Sequence, residues 1–164
     1  MNESLKPNAG LYASRRGLEP AEILGSGMDG IVLVAKHKRR PADVALKALC
    51  WDEAYLREKL VYERLRRLEV SEVLGFNVPQ LIGFDDALRV IEMTIVKPPF
   101  VLDFARAYLD ARPEFSNEIW ADWEADKREK FEDRWPEVRR ILDAFEELGV
   151  YLLDVSPSNI TFGR

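Results

Sequence analysis

Ten residues of this chain carry most of the information about its fold: residues 25–34 read Gly25-Ser26-Gly27-Met28-Asp29-Gly30-Ile31-Val32-Leu33-Val34. The first six match the pattern G-x-G-x-x-G, which a plain hairpin turn also satisfies. The dinucleotide-binding form of that pattern needs a helix directly after the glycines, whereas the β-branched run found here favours a strand. The sequence therefore predicts two strands joined by a glycine loop that can lie over phosphate groups, because glycine has no Cβ to hold the backbone away.

A single lysine, Lys47, interrupts the next apolar segment, which runs from Val44 to Leu49. A buried ammonium is costly without an acidic partner, so Lys47 either reaches solvent from a sheet edge or pairs with a carboxylate. Residues 52–69 predict a helix with leucines at helical spacing. Glu58 lies at the edge of its apolar face and Glu63 points further away, so we expect Glu58 to be the partner of Lys47.

The order of the remaining segments predicts an α+β protein in two parts. Residues 1–18 lack periodicity and predict a flexible leader. Residues 19–96 predict a five-stranded antiparallel sheet with one helix, and residues 97–164 predict a smaller helical part that begins at a proline pair. The expected strands are Ile23–Gly25, Ile31–Ala35, Val44–Leu49, Gln80–Phe84 and Leu88–Ile95, and the expected later helices are 100–110, 117–133 and 135–148.

A polar loop near the end of the sequence contains Asp154 and Asn159 with four residues between them. This D-x-x-x-x-N spacing allows a carboxylate to accept a hydroxyl proton while an amide oxygen on the same loop binds Mg²⁺. A polar turn after a helix has a similar composition. The position of the loop, between two short apolar segments that follow a helix, favours the catalytic interpretation.

With the glycine loop, the strand lysine and this polar loop in that order, the chain resembles the protein-kinase-like superfamily, which includes protein kinases and aminoglycoside-type phosphotransferases. The resemblance covers about residues 23–162. It implies ATP and Mg²⁺ as ligands, Asp154 as the catalytic base, Lys47 and Glu58 as a catalytic ion pair, and Asn159 as a metal ligand. The residues that it implies for nucleotide binding are Gly25, Gly27, Gly30, Val32, Ala45, Lys47, Glu92 and Thr94.

Two departures from the family pattern leave several functions open. No Asp-Phe-Gly motif follows Asn159, and Asp29 stands at the tip of the glycine loop, where its carboxylate would repel a phosphate unless a metal lay between them. The alternatives are a minimal Ser/Thr-type phosphotransferase, a pseudokinase that holds a nucleotide or a partner, and, as the weakest, a small-molecule kinase. We expect phosphate transfer by the isolated chain to be poor or absent, and a protein partner or second copy could bind the abbreviated helical part.

Composition narrows the class of partner. The formal net charge is −5, and this acidic balance argues against nucleic-acid binding, which depends on neutralising phosphates. The longest apolar run is far too short to span a bilayer, and the N-terminus lacks the apolar stretch of a signal peptide. A single cysteine, Cys50, excludes an intrachain disulfide. We therefore expect a cytoplasmic protein without a membrane partner.

Overall fold

The computed structural model describes residues 4–163 and contains four α-helices together with eleven strands, six of which are only two residues long. The helices are α1 (Leu5–Arg16), α2 (Asp52–Arg67), α3 (Asn117–Phe131) and α4 (Trp135–Glu147). The strands are β1 (Leu18–Ser26), β2 (Gly30–His37), β3 (Asp43–Leu49), β4 (Glu72–Val73), β5 (Phe76–Asn77), β6 (Leu81–Asp85), β7 (Val90–Thr94), β8 (Phe100–Val101), β9 (Tyr108–Leu109), β10 (Val150–Tyr151) and β11 (Ile160–Thr161).

The main sheet is five-stranded and antiparallel, as the sequence predicts, in the order β1-β2-β3-β7-β6. Side chains alternate between the two faces of a strand, so residue pairs opposite each other define which face each residue occupies. Lys47 lies opposite Val32, and Ala45 lies opposite Met93. These side chains share the face that packs toward α2, which places the predicted nucleotide-binding positions of β2 and β3 together.

The opposite face of the sheet is covered by α1, and the prediction of a flexible leader is wrong for the described part of residues 1–18. Leu5, Ala9, Tyr12 and Ala13 follow helical spacing and are buried against β1, β2, β3 and β7. Pro7 is compatible with the helix because it falls in the first turn, where backbone N–H groups have no intrahelical partner. Residues 1–3 lie outside the described part.

The segment after the proline pair differs from the prediction. Residues 100–110 were expected to be a helix, but they form β8, a series of turns and β9. Positive φ angles at Asp103, Arg106 and Asp110 interrupt any helical geometry. Strand β8 pairs with β11 and β5, and β9 pairs with β10. The later helices are confirmed as α3 and α4, and the latter stops before Gly149, whose φ is 77°.

The largest hydrophobic core runs continuously across the predicted boundary at residue 97. It joins Ala45 and Ile91 of the main sheet, Tyr62 of α2, and Phe104 and Phe145 from the second half of the chain. A second core lies between α1 and the outer face of the sheet. The division into 19–96 and 97–164 therefore does not separate two cores, and the interior packing holds both halves in one arrangement.

Candidate nucleotide site

Lys47 lies on the inner face of the sheet and forms an ion pair with Glu58 of α2, as the sequence predicts. Its Nζ atom is 2.7 Å from Glu58 Oε2, and the exposed fractions of the two side chains are 11% and 1%. Glu58 faces the sheet because it lies on the same side of α2 as Tyr55, Val61, Tyr62 and Leu65. Leu56 and Leu60, which were expected on this apolar face, point into solvent instead.

A second carboxylate, which the sequence analysis missed, also contacts Lys47. Asp103 Oδ1 lies 2.9 Å from Lys47 Nζ and accepts a further hydrogen bond from the Ala105 backbone N–H at 3.0 Å. The arrangement therefore contains one ammonium and two carboxylates. No periodicity pointed to Asp103, and its position depends on how the chain folds after residue 99.

Burial and charge set the ionisation of these three groups in different directions. Burial opposes the charged form of Lys47, but the two carboxylates outweigh it and raise the pKa of the ammonium. Burial raises the pKa of Glu58, and the charge of Lys47 offsets this only in part. Burial also acts to raise the pKa of Asp103, but Lys47 and the Ala105 N–H hold it below its usual value. The charged form is thus favoured for Lys47 and Asp103, whereas burial disfavours the charged form of Glu58.

The segment that carries Asp103 is held on both sides. Phe104 is fully buried and packs edge-on against Tyr62 of α2, with ring centroids 5.0 Å apart, and against Phe145 of α4 at 6.0 Å. On the other side, the Leu102 N–H donates to the Asn159 carbonyl oxygen at 2.7 Å. Asp103 is therefore fixed between α2 and the polar loop that contains Asn159.

The predicted catalytic loop lies at the edge of this arrangement. Asn159 donates from Nδ2 to the main-chain carbonyl of Asp154 at 3.0 Å, which closes the loop. Val155 is buried and anchors the loop to the core, whereas Asp154 is exposed. The Leu102–Asn159 hydrogen bond and the Lys47–Asp103 ion pair connect the loop to the lysine through two successive residues. The roles of Asp154 as a base and Asn159 as a metal ligand stay predictions.

The glycine loop forms a tight turn in which the Gly27 N–H donates to the Gly30 carbonyl at 2.9 Å. Its glycines differ in what surrounds them. A Cβ atom at Gly30 would collide with the Ala48 carbonyl oxygen of β3, whereas a Cβ at Gly25 or Gly27 would meet nothing within 4 Å. Gly30 is therefore required by the packing of the sheet, and the open sides of Gly25 and Gly27 leave room for a ligand.

This difference predicts that alanine lowers the stability of the fold at Gly30 but not at Gly27. Gly30→Ala should destabilise the fold by about 1–3 kcal/mol, because the backbone of β2 must move away from β3. Gly27→Ala should leave unfolding within about 0.5 kcal/mol of the parent and weaken any phosphate ligand that approaches the loop. Urea unfolding of both variants checks the first difference, and equal midpoints would contradict it.

Glu92 and Thr94, which the resemblance implies for nucleotide binding, form side-chain hydrogen bonds away from Lys47. Glu92 is completely buried on the α1 side of the sheet, where Oε2 accepts from the Tyr12 hydroxyl at 2.7 Å and from Arg16 Nε at 3.0 Å. Thr94 Oγ1 accepts from the Gln80 N–H at 2.8 Å. Alternate residues of β7 face α1, so neither side chain reaches the face that carries Lys47. The nucleotide-binding role that the resemblance implies for these two residues stays a prediction, without support from their side chains.

A cavity of 240 Å³ opens beside the ion pair. Charged residues of both signs line it. They are Asp29 from the glycine loop, Glu53, Arg57 and Glu58 from α2, and Arg106 from the segment after β8. Trp51, Ala54 and Ala105 complete the lining. Glu58 Oε1 is buried and has no hydrogen-bond partner in the described part of the chain. Within residues 4–163 no three His, Cys, Asp or Glu side chains are grouped as a metal site.

Comparison with known proteins gives the chain no family. No protein-family model matches it, and no curated protein matches it either. Among the described residues, no helix has both the length and the apolar composition needed to cross a membrane.

Proposed function

We propose that this chain binds a nucleoside triphosphate together with Mg²⁺ in a protein-kinase-like cleft, with Lys47 directed at the phosphates. The observation that carries the proposal is the buried Lys47–Glu58 ion pair on the inner face of a sheet whose first two strands are joined by a glycine loop. Removing a lysine from water is unfavourable for the fold unless it is paired. Perturbed ion pairs beside a cavity are accordingly common at functional sites.

The surroundings of Lys47 suit the two ends of a nucleotide. Val32 and Ala45 are apolar and lie on the same face of the sheet as Lys47, where the resemblance implies that a base packs. Val32 is partly exposed and Ala45 is buried behind it. The open sides of Gly25 and Gly27 allow the backbone to approach phosphate oxygens. Glu58 fixes the lysine in position, so a phosphate would meet an ammonium that is already ordered.

The charges around the cavity explain why a metal ion belongs to the proposal. Among the residues that line the cavity, Arg57 and Arg106 give +2 and Asp29, Glu53 and Glu58 give −3, for a net of −1. The neighbouring pair of Lys47 and Asp103 adds no net charge. A triphosphate that entered alone would add further negative charge to this region. Mg²⁺ is usually held by one or two carboxylates together with substrate phosphates. Asn159 is the oxygen donor that the resemblance implies for this ion.

A second candidate is a pseudokinase that binds a protein partner without a nucleotide. The observation that favours it is the contact of Asp103 with Lys47, because this carboxylate already occupies a position that a phosphate would take. Phosphate transfer with Asp154 as the base stays a further part of the first proposal. It requires a bound nucleotide, so nucleotide binding is the property to test first.

Thermal unfolding with ATP distinguishes these candidates. At a hundredfold excess over the dissociation constant, bound ATP–Mg²⁺ should stabilise the fold by about 2.7 kcal/mol, which for a chain of this size is a rise in Tm of about 5–10 °C. Lys47→Arg should reduce the rise, because a planar guanidinium does not present its charge as a compact ammonium does.

The matched control is Lys130→Arg, a change at a half-exposed lysine of α3, which should leave the ligand-induced rise unchanged. Inorganic tripolyphosphate with Mg²⁺ serves as the control for unspecific anion binding. An absence of any rise at millimolar ATP, with and without Mg²⁺, would overturn nucleotide binding and favour the partner-binding candidate. A rise of the same size with tripolyphosphate would show that the base is not recognised.

A further inference from the structure

Only one of the two carboxylate oxygens of Asp103 accepts hydrogen bonds from the described residues. Both of its hydrogen bonds, from Lys47 Nζ and from the Ala105 N–H, end on Oδ1. Oδ2 has no partner among the described residues, and a third of the side chain is exposed. A carboxylate can accept hydrogen bonds or a metal ion at each oxygen, so Oδ2 is available to a ligand that enters beside Lys47.

The neighbouring loop offers a second oxygen. Asn159 uses its side-chain nitrogen to bond the Asp154 carbonyl, which leaves the amide oxygen without a partner in the described structure. The main-chain hydrogen bond from Leu102 to Asn159 fixes the residue before Asp103 against this loop. Two hard oxygen donors from distant parts of the sequence are thereby held on adjacent segments.

The charge balance at Lys47 indicates a cation as the missing ligand. The ammonium faces two carboxylates, and Glu58 Oε1, the oxygen outside the ion pair, is buried and has no hydrogen-bond partner among the described residues. This side chain is among those that line the cavity. An unpaired buried carboxylate oxygen is unfavourable. A divalent ion near Asp103 would offset the excess negative charge, whereas a phosphate without a metal would add to it.

We propose that Asp103 is the carboxylate ligand of the divalent cation that accompanies a bound nucleotide, with the Asn159 amide oxygen beside it. The assignment rests on the proposed nucleotide function and names a residue outside the three sequence motifs. Two protein oxygens hold Mg²⁺ only weakly, so phosphate oxygens and water complete the coordination. Metal and nucleotide then bind together, and each raises the affinity for the other by the same factor.

The test measures this linkage by calorimetric titration of ATP in EDTA and in Mg²⁺, and by the electron paramagnetic resonance signal of free Mn²⁺. With the parent chain, Mn²⁺ alone should bind weakly, and Mg²⁺ should raise the affinity for ATP at least tenfold. Asp103→Asn should abolish that tenfold gain and leave the affinity for metal-free ATP equal or higher, because one negative charge has been removed beside the phosphates. Asp103→Glu, which keeps the carboxylate, should retain part of the gain.

Asp122→Asn is the matched control, since it makes the same change at an exposed position on α3, and it should behave as the parent. Circular dichroism of each variant without ligand verifies folding, and Asp103→Glu supplies the comparison if Asp103→Asn unfolds. A full Mg²⁺ gain in folded Asp103→Asn would overturn the assignment and leave nucleotide binding intact. ATP binding that is equally tight in EDTA and Mg²⁺ with the parent chain would also overturn it. No heat with ATP under either condition would overturn the proposed function itself and the assignment with it.

Discussion

Replacement of Lys47 by methionine should lower the free energy of unfolding by about 3–5 kcal/mol, because it leaves a buried carboxylate without its counter-charge. Glu58 is 1% exposed, and Lys47 is its one ion-pair partner among residues 4–163. Glu58→Gln should cost less, since Lys47 keeps Asp103 as a partner. Urea unfolding of the two variants measures this asymmetry. The surface control Lys130→Met, at an exposed pair on α3, should change stability by no more than about 1 kcal/mol.

The cost of Lys47→Met should depend on pH in a defined direction. Burial already raises the pKa of Glu58, and loss of the ammonium raises it further. A carboxyl group with a raised pKa in the folded state takes up a proton on folding, so stability is highest below its ordinary pKa and falls as the pH rises from that value to the raised one. The penalty should therefore shrink on acidification toward the ordinary pKa of glutamate. A penalty that grows on acidification would contradict this account, and so would equal costs for Lys47→Met and Glu58→Gln.

Phe104→Ala should destabilise the fold by about 3–5 kcal/mol, the usual cost of removing a fully buried aromatic ring. The ring contacts both Tyr62 of α2 and Phe145 of α4, so its loss opens a cavity between the two helices. The adjacent Asp103 should lose its fixed position, and any metal-dependent gain in ATP affinity should fall with it. Denaturant unfolding and the calorimetric titration measure the two effects.

Phe115→Ala provides the comparison for that loss. Phe115 is 41% exposed and packs on Trp120 at the surface, so its removal should cost no more than about 1 kcal/mol. Similar costs for the two phenylalanines would mean that the core between α2 and α4 can close around the missing ring. A normal metal-dependent gain in folded Phe104→Ala would mean that Asp103 is positioned without the ring.

The parts of the site that follow from local pattern could be predicted from the sequence. The glycine loop, the strand that contains Lys47 and the helix that contains Glu58 each show their own periodicity, and the pairing of Lys47 with Glu58 follows because a buried ammonium needs a partner. The main antiparallel sheet could also be predicted, since short apolar runs rich in β-branched residues, bounded by turn residues, define its central strands.

The parts that depend on distant packing could not be predicted. Asp103 reaches Lys47 only because Phe104 is inserted between two helices, and nothing in the local sequence shows that insertion. Helix α1 was missed because two of its four buried residues are alanines, and Pro7 and Gly10 suggest a loop. Glu92 was assigned to nucleotide binding by resemblance, whereas the alternation of β7 directs its side chain toward Tyr12 and Arg16.

The hydrogen bond between Leu102 and Asn159 also determines when the cleft can be completed during synthesis of the chain. Lys47 and Glu58 lie close together in sequence and can meet as soon as α2 and β3 exist. Asp103 is 56 residues from Lys47, and its backbone is not secured until residue 159 has been added. A chain made from the N-terminus forward therefore carries an incomplete cleft until residue 159 has been added, because long-range contacts form after local ones. Nascent chains that stop before residue 159 would hold the lysine and its glutamate but could not close the arrangement around them.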